Sequence, residues 1–388
     1  MRNRWAVLAV VFVTRISMAF QFQSIASVGP LLVRDFGWSY SQLGWLIGLY
    51  MLPGVAFALP GGLLGQRFGD RRVVLIGLAL MVLGGLVTAR SDGFALAATS
   101  RLVSGIGAVL MNILLAKMVA EWFAGQELST GMGIMLTAWP IGLGVAASTL
   151  GTIAVRWSWR AAIDATALVA AIGLVLILTL YREPPGRSND AAAPIAARFR
   201  LPPRDLALSV SAGAAWGCFN AAFIALLSFG PALLVARGVE IGAAGRAISL
   251  AVWMTFVSVP LGGYLNDRLR RPDLVIVAGS VVTGLVMLAL PLVDHVALAF
   301  AVIGVVSGGP AGAIMALLPP ALRPERLATG FGVYYTVFYL AMALGQPLAG
   351  FIRDTTESPA SPVIFAAVVM SATAVGLAVF RKIEARSS

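Results

Sequence analysis

The 388-residue chain is 59% hydrophobic and only 12% charged, with a mean hydropathy of +0.90. A soluble globular chain carries about a quarter of its residues as charges, so this composition excludes a water-soluble chain and predicts an all-α membrane protein. One cysteine, Cys218, excludes an internal disulfide, and one histidine, His295, leaves no His/Cys cluster for zinc or haem.

Crossing a hydrocarbon layer of about 30 Å takes roughly 20 apolar residues in a helix. Twelve runs meet that length, near 5–33, 40–66, 72–90, 93–120, 128–154, 159–181, 205–236, 243–266, 273–292, 296–320, 327–352 and 360–381. Met1 to Arg4 has the basic character of a signal-peptide start. The apolar run behind it passes Arg15 with no small-residue cleavage site, which predicts a retained first span.

Arg15 stands ten residues beyond Trp5, about 15 Å along a helix and close to mid-membrane. A charge there costs between about 3 and 17 kcal/mol, so it needs a wet cavity or a partner. It shares a helical stripe with Ala19, Phe22 and Ala26, a lining that suits a planar anion held by a fork of donors. The competing reading is an arginine that snorkels to the inner interface from a span that starts later.

Span two closes on Gly61-Gly62-Leu63-Leu64-Gly65-Gln66-Arg67, followed by Arg71 and Arg72. Span four carries the stripe Arg101, Gly105, Ala108, Asn112, with small residues for close helix approach between two polar ends. Arg101 reads equally as a substrate contact and as a packing arginine bonded to backbone carbonyls. Lys117 falls near the inner end of the same span and reads as structural, and Trp139-Pro140 predicts a kink in span five. Residues 182–204 hold five prolines and five arginines, which reads as a polar linker between an N-terminal bundle, 1–181, and a C-terminal one, 205–388.

In the second half, Trp216, Asn220 and Phe223 share a stripe of span seven. Tyr335, Tyr339, Met342 and Gln346 share one of span eleven. Aromatic walls with a few donors are typical of small-ligand pockets, although such stripes also build ordinary cores and interface belts. Gly309-Pro310 predicts a kink in span ten. Span eight ends in Gly262-Gly263-Tyr264-Leu265-Asn266-Asp267-Arg268, with Arg270 and Arg271 behind it, 201 positions after the first copy. A signal duplicated at half the chain length marks two structural repeats.

With the N-terminus inside, the cytoplasmic segments hold 18 of the 28 basic residues, among them Arg2, Arg67, Arg71, Arg204, Arg268 and Lys382; the opposite side holds seven. Short basic loops stay cytoplasmic, so both termini and the linker are expected on that side of a bacterial-type inner membrane. The net charge of +11 is then mostly topology, and no nucleic-acid partner is expected.

These segments together resemble the major facilitator superfamily over the whole chain. Gly62–Arg72 is similar to that family's signature loop, G-x-x-x-D-R-x-G-R-R/K, and Gly263–Arg271 to its weaker second copy. Arg101-Leu102-Val103-Ser104-Gly105-Ile106-Gly107 resembles the fourth-span motif R-x-x-x-G-x-G, and Trp159-Arg160 the W-R that opens span six. The resemblance implies a twelve-helix major facilitator fold in two six-helix halves and alternating access. It also implies a cytoplasmic latch drawn from Gln66, Arg67, Asp70, Asp267 and Arg268. Gln66 stands where the family has aspartate, so the latch is expected to be weaker in the first copy or to use Asp70. It further implies that Arg101 contacts span one or assists proton coupling. Ser27-Val28-Gly29-Pro30-Leu31-Leu32 and spans one to five resemble bacterial anion and organic-anion permeases, including the cyanate-permease-like group.

Of the carboxylates, only Asp164 falls inside a predicted span, near its outer end, so the buried arginines lack an obvious partner. An incoming anion neutralises such a site most simply, by exchange, with a proton, or passively. No Walker-type G-K-S/T occurs, and Gly105-Ile106-Gly107, Gly131-Met132-Gly133 and Gly142-Leu143-Gly144 lie within apolar helices without a preceding strand, so no cofactor is expected. The expected function is secondary transport of a small anion, a carboxylate or organic acid. Arg15, Phe22, Arg101, Asn112, Trp216, Asn220, Tyr335, Tyr339 and Gln346 are the expected substrate-binding residues. Partners are the anion, protons and the bilayer, and the chain is expected to be a monomer and not an enzyme. The alternatives are export of drug-like molecules or metabolites, and a membrane sensor or scaffold.

Overall fold

The computed structural model describes residues 3–58, 60–123, 127–183 and 201–385, and every regular element among them is helical. The N-terminal half contains α1 (Arg4–Phe36), α2 (Tyr40–Met51), α3 (Pro53–Phe57), α4 (Gly61–Phe68), α5 (Asp70–Ala89), α6 (Phe94–Trp122), α7 (Leu128–Arg156) and α8 (Trp159–Thr179). The C-terminal half contains α9 (Pro203–Ala236), α10 (Ile241–Leu269), α11 (Pro272–Ala289), α12 (Val296–Met315), α13 (Pro324–Thr356) and α14 (Ser361–Ala385). Eleven of these helices are long and apolar enough to cross a membrane. Most of the predicted linker, 182–204, lies outside the described residues.

The remaining span departs from expectation. The predicted run 40–66 is divided into α2, α3 and α4, with Pro53 opening α3 and Pro60 preceding α4. A proline has no N–H to donate, and its ring crowds the carbonyl four residues earlier, so the hydrogen-bond ladder is interrupted at each. Leu52 and Ala58 keep helical dihedrals, so α2 and α3 follow one another as a single kinked span.

Local chemistry sets the ends of the helices. Asn3 caps α1 by accepting from the Trp5 N–H, and Gly37 closes it in the left-handed region at φ 65°. Ser39 and Gln42 form a reciprocal capping box on α2, at 3.1 and 2.9 Å. Prolines open α9, α11 and α13, where the missing N–H costs nothing.

Within the first half α1 packs on α7 and α8, and α6 on α2 and α5; within the second, α9 packs on α13 and α14, and α12 on α10 and α11. Large apolar side chains cover the outside, including Leu168 at 62% exposure and Val375 at 63%, with Leu285 and Leu298 also exposed. Lipid is the solvent in which such a surface is stable.

The two halves meet through α2 on α13, α7 on α10 and α1 on α9. Glycines bring the first two pairs close. A methyl on Gly44 or Gly48 would overlap the carbonyls of Gln346 or Ala343, and one on Gly245 would overlap that of Ala147. Asp354, near the end of α13, caps α2 from the other half: its two oxygens accept from the Tyr40 and Ser41 N–H groups at 2.8 Å each. The Arg353 guanidinium lies 4.8 Å from the Tyr40 ring centroid. All these contacts are at the end of the bundle away from the N-terminus. Toward the other end α7 and α10 diverge: nothing lies within 4 Å of a methyl built on Gly133 or Gly263, and Leu136, Val259 and Leu261 are exposed.

Candidate functional site

Arg15 sits eleven residues into α1, about 16 Å along its axis. It is 8% exposed, its Nε is buried without a hydrogen-bond partner, and no carboxylate among the described residues pairs with it. The groups that act on its charge are the phenols of Tyr339 and Tyr335, on α13 of the opposite half. The snorkelling alternative therefore does not describe this residue, whose guanidinium is held inside the protein at the seam between the halves.

Tyr339 is buried with its ring against Gly54 of α3, where a methyl would overlap the ring. The side chain of Asn112, on α6, lies beside its hydroxyl. The Asn112 Oδ1 is buried and has no partner. Arg15, Asn112, Tyr335 and Tyr339 thus converge from α1, α6 and α13. Two phenols and an amide lie near one cation with which no carboxylate of the described residues pairs.

Phe22, two turns beyond Arg15, is fully enclosed, 5.7 Å from the Trp139 ring and 5.8 Å from Tyr50. Trp216, on α9, stacks on Phe219 at 5.8 Å and on Phe338 at 6.3 Å, and Phe338 meets Tyr335 edge-on at 6.1 Å. Asn220 is half-buried and returns its amide to the Trp216 carbonyl at 2.9 Å. These rings continue a flat apolar wall from Tyr335 into the second half. Gln346 lies two turns along α13 from Tyr339, at the closed seam beside Gly44; its Nε2 donates to the Ala221 carbonyl at 3.3 Å and its Oε1 is unpartnered.

Arg101 is 1% exposed and is occupied by the main chain. Its Nε donates to the Leu46 carbonyl at 3.0 Å, Nη1 to Gln21 at 3.1 Å and Nη2 to Phe22 at 3.3 Å, over a Tyr50 ring 4.5 Å away. Of its two sequence readings, these bonds are those of the packing arginine, and they include the span-one contact implied by the family resemblance. It ties α6 to α1 and α2. Arg101→Leu is expected to strand three carbonyl contacts of a charged donor, each worth about 1.5–3 kcal/mol. The expected result is loss of folded, monodisperse protein on size-exclusion chromatography, an effect on stability rather than on ligand affinity.

Among the expected gating residues, Asp70 is fully buried at the start of α5 and pairs with Lys117 of its own half at 3.0 Å. Arg67 is exposed over the Phe68 ring, and Arg268 donates to the Tyr264 hydroxyl at 3.0 Å. The side chains of Gln66 and Asp267 lie outside the described residues. The reading of Asp164 as the only carboxylate inside a span is corrected: α5, α9 and α11 carry Asp70, Asp205 and Asp273 in their first turns. α5 begins earlier than predicted, and the predicted runs of the other two already opened on these acids. Asp205 pairs with Arg326 at 2.9 Å, and Asp164 with Arg90 at 2.7 Å. None of these acids pairs with Arg15.

Sequence reasoning missed Gln21, Gly54 and Asp354. Gln21, whose Nε2 donates to the Met81 carbonyl at 2.9 Å, was legible as an amide inside an apolar span. The others act through partners more than 280 positions away in the chain, which no local pattern reveals.

The sequence profile described as Major Facilitator Superfamily matches residues 11–345 and, again, 208–388. Over 98% of its length the chain is 26% identical to the 3-(3-hydroxy-phenyl)propionate transporter of Escherichia coli (strain K12), covering 94% of that protein. It is 20% identical to the hexuronate transporter of Bacillus subtilis (strain 168), over 70% of this chain and 66% of that protein. The fold is that of the xylose transporter XylE from E. coli in its inward open conformation, with a TM-score of 0.79 at 14% identity over 96% of this chain and 95% of that one. A bacterial homolog of the human lysosomal transporter Spinster, inward-facing and unoccupied, superposes with a TM-score of 0.73 at 17% identity, over 98% and 96% of the two chains.

Proposed function

The chain belongs to the major facilitator superfamily, whose members are membrane transporters and not enzymes, and on that premise we propose that it carries a small organic anion, a carboxylate, with Arg15 as the counter-charge. The observation that carries the reading is a buried guanidinium at the seam of the two halves with no carboxylate partner among the described residues. Arg15 lacks the main-chain carbonyls that hold Arg101, so its burial is costly until something neutralises it, and an anionic substrate does so. The substrates named for the two bacterial relatives, a phenylpropionate and a hexuronate, are both carboxylates, which supports the same class.

In this reading residues 1–181 rock against 205–388 around the fixed site. With the termini on the cytoplasmic side of an inner membrane, as the arginine distribution argues, the closed seam faces outward and the diverging ends of α7 and α10 face the cytoplasm. The state is then inward-open. The anion enters by exchange or together with a proton, and the aromatic wall of Trp216, Phe338 and Tyr335 holds its apolar body.

The test is counterflow in proteoliposomes, with panels of mono- and dicarboxylates, neutral sugars and organic cations, with and without a pH gradient. Saturable exchange of at least one carboxylate, inhibited by other carboxylates, is expected. Transport confined to cations or neutral solutes would overturn the proposal.

A further inference from the structure

We infer that the turn between α10 and α11 binds the phosphate of an anionic phospholipid, with Arg270 and Arg271 as its ligands. The two glycine-arginine segments, 201 positions apart, each end in a turn that needs one residue at positive φ. In the first copy that residue is Gly69, at φ 87°; its counterpart in the second is Arg270, at φ 50°. The next position is Asp70 in the first copy, fully buried against Lys117, and the exposed Arg271 in the second. Glycine takes a positive φ at little cost, and arginine does not. The second copy therefore keeps a charged side chain where the first shows that glycine serves. Strain of this kind points to a use for the side chain.

The charges around the turn do not balance. Arg270 and Arg271 line a groove of about 380 Å³ together with Asp273, Leu274 and Arg381. Asp273 is spent on Arg381, whose Nε and Nη2 donate to it at 2.7 to 3.0 Å while its Nη1 donates to Glu384. Among the described residues neither Arg270 nor Arg271 forms an ion pair. Arginines at other helix ends do: Arg90 with Asp164, Arg160 with Asp92, and Arg326 with Asp205.

The depth of the groove identifies the occupant. The span Pro272–Leu292 has 21 residues, about the thickness of the hydrocarbon core at 1.5 Å each. The turn at its start then lies in the headgroup layer. Beside it both helices expose apolar side chains to lipid, Leu265 and Leu269 on α10, Leu274 and Val277 on α11. A phospholipid matches both parts: its phosphate accepts from the forked guanidinium donors, and its acyl chains cover the leucines. An anionic headgroup supplies the charge that the two arginines lack, whereas a zwitterionic one brings an ammonium that cancels it. Free phosphate gains nothing from the leucines.

Native mass spectrometry of the delipidated transporter, titrated with phosphatidylglycerol, phosphatidylcholine and glycerol phosphate, tests the site. The wild type is expected to bind one phosphatidylglycerol at least about tenfold more tightly than phosphatidylcholine. Arg270→Gly suits the turn as Gly69 does, so it should unfold no earlier in heat than the wild type. Combined with Arg271→Gln, it is expected to bring the lipid ratio within about twofold of unity. Arg72→Gln, which removes an exposed arginine of the first copy, should leave the ratio unchanged.

Equal affinity of the wild type for the two lipids would overturn the inference, and this comparison stands whether or not a variant folds. So would a double variant that keeps the preference. A ratio that falls as far in Arg72→Gln would replace the site by a diffuse basic surface. Displacement of the lipid by equimolar glycerol phosphate would make the ligand a soluble phosphate instead. None of these results bears on Arg15.

Discussion

Arg15→Ala is expected to reduce carboxylate exchange by at least about thirtyfold while leaving the protein folded, inserted and more resistant to heat. The two effects have opposite signs because they come from one charge. Truncating one partner of a desolvated charge pair costs about 2–5 kcal/mol of binding, and each 1.4 kcal/mol is about tenfold. In the empty protein the same guanidinium is buried with an unpartnered Nε, and its removal relieves a desolvation cost of at least about 3 kcal/mol. Arg15→Lys retains the charge but loses the planar fork, so it should recover only part of the activity. Thermal unfolding followed by tryptophan fluorescence, alongside initial rates of exchange, checks both signs. A variant that exchanges carboxylates at full rate would remove Arg15 from the site. A variant that fails to fold would make it a structural residue like Arg101.

The second large effect is expected at Gly48. In the closed seam this glycine faces the Ala343 carbonyl, with no room for a methyl. Gly48→Leu should force α2 away from α13 and trap the transporter with that end open, abolishing exchange without unfolding either half. Asp354→Ala is the milder counterpart. It removes the acceptor of two α2 N–H groups, and an N-cap deletion of about 0.5–2 kcal/mol shifts the equilibrium in the same direction by about two- to thirtyfold. Spin labels at Trp157 and Leu292, both strongly exposed at that end of opposite halves, in a Cys218→Ser background, report the change. Longer distances are expected in both variants, more so for Gly48→Leu. Unchanged distances in Gly48→Leu would mean that this contact does not hold the seam.

Much of this architecture was legible in the chain because a bilayer admits few solutions. Apolar runs of the right length had to be helices, and the duplicated glycine-arginine segments had to mark repeats. The exception, 40–66, carried its own warning in Pro53 and Pro60, since hydropathy ignores the hydrogen bonds that proline removes. Arg15 was conspicuous for the same reason that it is costly: few residues stand out more than a charge in mid-span. Its surroundings were less legible. Tyr335, Tyr339 and Asn112 could be placed on helix faces, but which face meets which across the seam depends on how the halves dock. Arg101 illustrates the limit, because a stripe of small residues around a buried arginine reads the same whether the partner is a ligand or a backbone carbonyl. The spacing of Gly44 and Gly48, four residues apart on α2, is a pattern of close helix approach that went unread until the structure placed both against α13. Asp354 carried none, since a carboxylate near a helix end is ordinary until the helix that it caps is known.

The most direct measurement is binding of a carboxylic acid and of its neutral primary amide to the purified protein in nanodiscs, by calorimetry, for wild type and Arg15→Ala. The two ligands have nearly the same shape and differ in charge. The account predicts that the wild type binds the acid at least about a hundredfold more tightly than the amide, and that Arg15→Ala binds both equally weakly. Equal binding of acid and amide by the wild type, or an undiminished preference for the acid in Arg15→Ala, would contradict it.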